Sequence, residues 1–345
     1  MPQVNVTKIV ELTARKGWSQ ARLANAAGID VDTVGHIFAA SKSGHPARRC
    51  LAGTAELLAE ALGVETVDIL CDETGRPLRG RSANVIGSWL VKSEGVLRKA
   101  QNGLAWRECE LVHVEDDERA RAKLYDLRDP PTREQSAIEA CLKRHRLVCK
   151  RVGKHANIAL NLDIIRDPAD AKFWWVIDEW VSDTRLSDLF ARGPMPGTQL
   201  AALMRTIADG LAALHAADVI RRDLNPRSIL VTGDTAVLTD FELAKLPGAL
   251  PTVAPNAKWR EDVYRAPEVA GAAELDPNCD LYSWATILAH AASGQAPESP
   301  GEARALLRGT AVPTRIVEFA GKCLAPPSSR PRSVQDLIAV LKRWK

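Results

Sequence analysis

Two aspartates sit in short polar segments separated by one apolar run. Asp223 lies in 221-RRDLNPRSIL-230 and Asp240 in 239-TDFELAK-245, and 229-ILVTG-233 between them reads as a strand. A loop carboxylate can accept a hydrogen bond from a hydroxyl and orient it, or it can hold a divalent cation. Lys123 sits in 120-ARAKLYDL-127, whose alternation is that of a strand; its ammonium can neutralise phosphate. Each residue also has a plain alternative: a loop aspartate is commonly a cap or turn residue, and a strand lysine can be an edge charge. A third segment, 264-YRAPEV-269, follows in order.

The elements that must position these residues change texture along the chain. Residues 1–70 read as short helices, with apolar residues at helical spacing in Ile9, Val10 and Leu12 and again in Leu23, Ala26 and Ala27. Ser19 is placed as an N-cap, Gly28 as a left-handed cap and Gly63 as a stop; further helices are expected over about 31–39 and 51–62. Residues 72–84, rich in Gly, Pro and Arg, read as a linker. Beyond Val85, residues 109–114, 120–127 and 172–177 read as strands, and 133–151 as a very basic helix. After Gly197 the pattern is helical over 198–216, 278–292, 300–308, 313–323 and 332–344. A β-rich portion followed by an α-rich one predicts an α+β domain in two lobes, preceded by a small all-α domain.

Composition excludes several classes. Apolar residues make up 46% of the 345 positions and charged residues 26%, an ordinary globular balance rather than a disordered one. The net charge of +3 is too small for a protein that coats nucleic acid. The 7 cysteines form no C-x-x-C pair, so neither a zinc cluster nor a disulfide framework is expected. No apolar run reaches the roughly 18–20 residues of a membrane span, and no signal peptide is visible, so a cytoplasmic protein with reduced thiols is expected.

The three segments, in this order, resemble the protein-kinase catalytic loop H-R-D-L-x-x-x-N, the D-F-G and the A-P-E. The resemblance covers about residues 85–345, with an N-lobe over about 85–178, a hinge at 179–181 and a C-lobe over about 182–345. It implies that Asp223 orients the attacking hydroxyl and that Asp240 holds Mg²⁺ or Mn²⁺, with Ser228 at the second metal position. Lys123 then meets the α and β phosphates of ATP, and Asp178 is the gatekeeper. Backbone groups of Glu179 and Val181 would bind adenine. Asp280 matches the buried anchor of the catalytic loop, and Arg330 matches the partner of Glu268. The partners implied are ATP and a protein substrate, in the manner of a divergent bacterial eukaryotic-like Ser/Thr kinase.

The pattern departs from the family at several positions. No G-x-G-x-x-G is visible over 91–103, only Gly95 and Gly103. Arg221 replaces the catalytic-loop His, Asn225 the Lys, Ser228 the Asn, and Glu242 the glycine of D-F-G. Losing that glycine restricts the backbone, and Glu242 adds charge near the metal. The helix-C glutamate that should pair with Lys123 falls near Arg146; Glu139 and Glu134, further upstream, are the alternatives if the helix is shifted. Thr252 is the remaining loop hydroxyl, and Tyr264 is expected to be packed. The basic stretch 143–151 reads as a solvated helix face.

Residues 19-SQARLANAAGIDVDTVGHIF-38 resemble a Cro/repressor-type helix-turn-helix, and 57-LLAEALGV-64 its closing helix. The resemblance puts Val31, Asp32, Thr33 and His36 on the face that would meet DNA. Residues 1–75 carry seven Lys/Arg and nine Asp/Glu, which opposes phosphate binding; Lys42, Arg48 and Arg49 are the backbone-contact candidates, doubled in a homodimer. Three readings follow: an ATP-dependent Ser/Thr kinase with a helix-turn-helix targeting domain, a pseudokinase scaffold, and a DNA-binding regulator with a kinase-like sensor domain.

Overall fold

Short capped helices open the chain because the sequence supplies a start and a stop for each. The computed structural model describes residues 3–50, 52–64, 66–71, 85–99, 105–127, 135–167, 170–248, 262–270 and 275–344. Strand β1 (Gln3–Asn5) leads into helix α1 (Val6–Arg15), whose first turn is capped by the Asn5 side chain accepting from the Lys8 amide at 2.9 Å. Helix α2 (Gln20–Ala27) starts at Ser19, whose hydroxyl accepts from the Arg22 amide at 3.2 Å. It ends at Gly28, which is left-handed at φ 64°, a conformation that costs a residue with a Cβ about 1–2 kcal/mol. Helix α3 (Val31–Lys42), strand β2 (Ala47–Arg49), helix α4 (Ala52–Leu62) and strand β3 (Leu70–Cys71) follow. Helix α3 runs three residues beyond the expected Ala39, and Ser43 closes it.

Leu23, Val34, Ile37, Leu58 and Ile69 pack into one core with Val4 and Ile9. The expectation of an all-α first domain is corrected by the antiparallel sheet β2-β1-β3. Its cause is Val4, which is fully buried; extended backbone at that depth must find partners for its N–H and C=O groups, and β2 and β3 supply them.

Strands β4 (Val85–Ile86) and β5 (Trp89–Lys99) open with a tight hairpin in which Val85 pairs with Leu90. The described residues form two units divided between Val91 and Lys92. That division falls inside β5, and the expected linker, 72–84, lies outside the described residues.

The second unit continues with strands β6 (Ala105–His113) and β7 (Arg119–Asp126) and helices α5 (Gln135–Leu142) and α6 (Arg144–Val152). Strands β8 (Asn161–Arg166) and β9 (Phe173–Glu179) complete an antiparallel sheet in the order β5-β6-β7-β9-β8. Helices α7 (Leu186–Phe190) and α8 (Gly197–Ala216) lead to the hairpin β10 (Ile229–Thr232) and β11 (Thr235–Leu238). Helices α9 (Asn278–Ser293), α10 (Pro300–Arg308), α11 (Thr314–Cys323) and α12 (Val334–Leu341) close the chain. Helix α9 is buried on nearly every face, and Trp284 within it is fully buried with its indole N–H donated to the Met204 carbonyl at 3.0 Å. Burial of such a side chain contributes about 1.5–3 kcal/mol, so this core is the rigid base of the unit.

The solvated basic face expected over 143–151 holds at Lys143, Lys150 and Arg151, which are exposed, and fails at two positions. Arg144 and His145 are buried, Arg144 donating to the Ala244 carbonyl at 2.6 Å. The helix also breaks at Lys143, giving α5 and α6 rather than one run. Among the described residues no helix is long and apolar enough to cross a membrane.

Candidate active site

Strand β7 carries Lys123 and Tyr125, which share a face because side chains alternate along a strand. Their opposite number is a single 3-10 turn, Phe241–Leu243, directly after Asp240. The Lys123 Nζ lies 2.6 Å from Asp240 Oδ1 and 2.8 Å from Glu242 Oε1. The Tyr125 hydroxyl donates to the same Glu242 oxygen at 2.9 Å. Burial works against the Lys123 ammonium, but Asp240 and Glu242 more than offset it and push its pKa up to about 12. Burial likewise works to raise both carboxyls, and Lys123 nevertheless holds Asp240 and Glu242 below their ordinary values. Asp240 is left-handed at φ 65°, which aspartate tolerates better than most side chains.

The loop carrying Asp223 hangs on α9. The fully buried Asp280 carboxylate accepts the amides of Arg221 and Arg222, each at 2.8 Å, and faces His215 Nε2 at 2.8 Å. Those bonds sustain a positive φ of 65° at Arg222. Arg221 is buried too: its guanidinium donates to the Thr239 carbonyl at 2.8 Å and lies over the Phe241 ring at 5.1 Å, joining this loop to the Asp240 turn. Asp223 itself accepts from Arg265 and from the Asn225 side-chain amide, the latter at a long 3.5 Å. Arg330 donates to Glu268 through both terminal nitrogens, one of them at 3.1 Å.

Residues 113–343 match the family model described as the protein kinase domain, about two thirds of the chain. The chain belongs to the protein kinase family. It is 33% identical over 129 residues to the serine/threonine-protein kinase pkn2 of Myxococcus xanthus, covering 35% of this chain and 16% of that one. It is 30% identical over 161 residues to the serine/threonine-protein kinase PknL of Mycobacterium tuberculosis, covering 46% and 40%. To the probable serine/threonine-protein kinase PkwA of Thermomonospora curvata it is 29% identical over 165 residues, covering 46% and 22%. The chain thus spans less than half the length of these curated relatives.

Within this kinase unit the remaining expected residues fall as follows. Glu179 ends β9; its amide donates to the Leu160 carbonyl at 2.9 Å and its carboxylate accepts from the Leu160 amide at 2.8 Å. Val181 packs against Ala159, Leu230 and Val237, an apolar floor beside the hinge. Asp178 is buried, accepting from the Asn161 side chain at 2.9 Å and lying 3.1 Å from His145 Nδ1, though not in line for a straight hydrogen bond. Burial disfavours the His145 cation, but Asp178 outweighs it and raises the ring's pKa well above the ordinary value. Tyr264 is half-buried, stacked on His290 with its hydroxyl against Nδ1. Gly95 lies inside β5, where a Cβ would meet the Glu108 carbonyl oxygen at 2.8 Å; it serves close strand approach, not a phosphate turn. Gly103, Thr252 and Glu134 lie outside the described residues.

The sequence did not disclose three partners. Glu242, read as surplus charge beside the metal, is the partner of Lys123, so the lysine is not left loose; Glu139 instead faces Arg166 at 3.9 Å, and Arg146 bonds Asp163 at 3.1 Å. Arg265 reaches Asp223 from beside the A-P-E. Arg185 donates to both Glu108 oxygens at 3.0 and 3.1 Å and stands 3.8 Å from Asp240 Oδ2, while Arg121 lies 3.1 Å from Glu108 and donates to the Ser182 carbonyl at 2.6 Å. The usable signal for Glu242 was a carboxylate missing from one motif and gained in another.

The donor set bears on magnesium. Asp240 offers one carboxylate, which suits an ion completed by phosphate oxygens and water. Ser228 Oγ donates to the Asn225 carbonyl at 3.0 Å, so it is engaged in its own turn. Among the described residues no group of three His, Cys, Asp or Glu side chains forms a cage. The residues fit one shared ion at Asp240 and do not fit a second at Ser228.

Proposed function

We propose that the second unit is an ATP-dependent protein kinase acting on serine and threonine hydroxyls, in divergent form. The observation that carries this is the meeting of Lys123, Asp240 and Glu242 within 2.8 Å in a buried site. A chain that had discarded nucleotide would gain nothing by keeping a buried lysine between two carboxylates, since buried pairs are weak devices for stability. Lys123 has three donors and engages two of them, leaving one for a phosphate oxygen. Asp223 keeps lone pairs beyond those met by Arg265 and Asn225, and one of them receives the substrate hydroxyl and orients its attack. The Val181 backbone, which makes no hydrogen bond among the described residues, and the Glu179 carbonyl serve adenine. Magnesium bound by Asp240 would neutralise the transferring phosphoryl group.

A pseudokinase reading is favoured by one observation: Ser228 and Asn225 spend their side chains on the loop itself, so the second metal ligand and the loop cation are both absent. For the first unit we propose a helix-turn-helix docking module. Val31, Asp32 and His36 on α3 are exposed and Thr33 is half-buried, as a reading helix needs. Titration with its own promoter DNA at two salt concentrations tests DNA as the partner; salt-insensitive or absent binding directs the search to protein.

The kinase reading is tested by incubating the full chain with radiolabelled ATP and Mg²⁺ or Mn²⁺, with a generic acceptor protein, beside Asp223→Ala and Asp240→Ala. Label on the wild type, lost in both variants, is expected. No label under any condition favours the pseudokinase.

A further inference from the structure

We propose that Glu242 is the positioning residue for Lys123, taking the place of a helix carboxylate, so that one turn carries both the lysine's partner and the candidate metal ligand. This rests on the kinase reading above.

Three observations support it. First, among the described residues no carboxylate of α5 or α6 is buried: Cys141, Leu142, Arg144, His145, Val148 and Cys149 are the buried positions, and Glu139, half-buried, faces Arg166. Second, Glu242 is fixed from two sides. Tyr125, two residues along the same strand face as Lys123, donates to its carboxylate at 2.9 Å, and Phe241 before it is fully buried against the His145 ring, centroids 4.9 Å apart. Third, the Lys123 and Glu242 side chains are 7% and 9% exposed, so their contact at 2.8 Å is little screened by water.

The consequence concerns regulation. Where the lysine's partner sits on a helix, moving that helix releases the lysine while the metal ligand stays. Here both carboxylates sit on one turn that α6 holds through His145 against Phe241 and Arg144 on the Ala244 carbonyl, so a flip of the Asp240–Leu243 turn removes both together. Nucleotide grip and the metal ligand therefore switch as one.

The test uses the full chain, a fluorescent ATP analogue with Mg²⁺, and steady-state phosphate transfer. Glu242→Gln and Glu242→Gly are each expected to weaken analogue binding and raise the ATP KM about tenfold, the scale of one lost charge-assisted hydrogen bond. Tyr125→Phe, which keeps every charge, is expected to give a smaller change in the same direction. Glu242→Gly combined with Cys141→Glu returns a carboxylate to α5, whose Cys141 lies within electrostatic reach of Glu242, and is expected to recover most of the loss. Unchanged affinity and KM in both Glu242 variants, with thermal unfolding like the wild type, overturns the proposal. Should the Glu242 variants not fold, wild-type affinity in Tyr125→Phe overturns it. A wild type that binds the analogue but transfers no phosphate defeats the kinase reading alone; a wild type that binds no analogue defeats both.

Discussion

The Asp240 turn and the catalytic loop have both lost family residues, and they have responded differently. At the turn, a glutamate one element away supplies the charge that the helix lacks. In the loop itself a neutral side chain stands where the lysine is expected: Asn225 turns its amide back onto the Asp223 carbonyl at 3.0 Å and caps the Arg227 amide at 3.1 Å, and the cation that meets Asp223 is Arg265, from outside the loop. The cost of an unpaired charge explains the contrast. Lys123 is buried, and leaving it alone would cost several kcal/mol, roughly 3–5 by the measure of broken buried pairs. The positions of Asn225 and Ser228 hold neutral side chains that local caps satisfy, so the sequence can drift there at little cost in stability while losing chemistry.

Several variants break or sharpen that contrast. The largest effect is expected from Asp280→Ala. It strips the Arg221 and Arg222 amides of their acceptor inside the core, and chemical denaturation should show a loss of about 3–5 kcal/mol, with the loop carrying Asp223 released. Next, Asn225→Lys with Ser228→Asn restores both groups the loop has lost. Transfer should rise by about tenfold or more, a conservative share of the 10²–10³ that one charge-stabilising donor contributes, measured as kcat at saturating ATP. An unchanged rate would mean the loop is not what limits the chemistry.

A smaller effect is a matter of pH. His145 faces Asp178 and Cys149, with Glu242 near enough to feel its charge. Its folded pKa lies above its unfolded value of about 6.5, so its stabilisation is fully present below that pH and is lost as pH rises through the folded value. The thermal midpoint of the wild type should exceed that of His145→Gln by a few degrees at about pH 6, and the gap should narrow in alkaline buffer. A gap that widens with pH would place the charge elsewhere. The smallest effect is expected in the first unit: Gly28→Ala forces a Cβ into φ 64° and should cost about 1 kcal/mol in that unit's unfolding, with phosphate transfer untouched.

What the sequence disclosed, and what it did not, divides along the range of the interactions. Ser19 and Gly28 announce the ends of α2 because caps are decided within a few residues. The catalytic segments are legible because their order and short spacing carry the pattern. The sheet β2-β1-β3 is not, since strands of two or three residues show no alternation to count. Nor does composition reveal that Arg144 and His145 point inward: a run of basic residues looks solvated until its acceptors, the Ala244 carbonyl and Asp178, are brought to it. Glu242 is the same case at longer range, lying across the fold from Lys123 in sequence and in direct contact in space.

The most direct measurement follows nucleotide binding and phosphate transfer on the same samples of wild type, Asp223→Asn and Asp240→Ala. The account predicts that Asp223→Asn binds the ATP analogue as the wild type does while transfer falls by about 10²–10⁴, the share of a group that handles the reacting hydroxyl. Asp240→Ala should lose transfer and the Mg²⁺-dependent part of binding. Transfer that persists undiminished in Asp223→Asn, or a wild type that binds the analogue and never transfers phosphate, would contradict it.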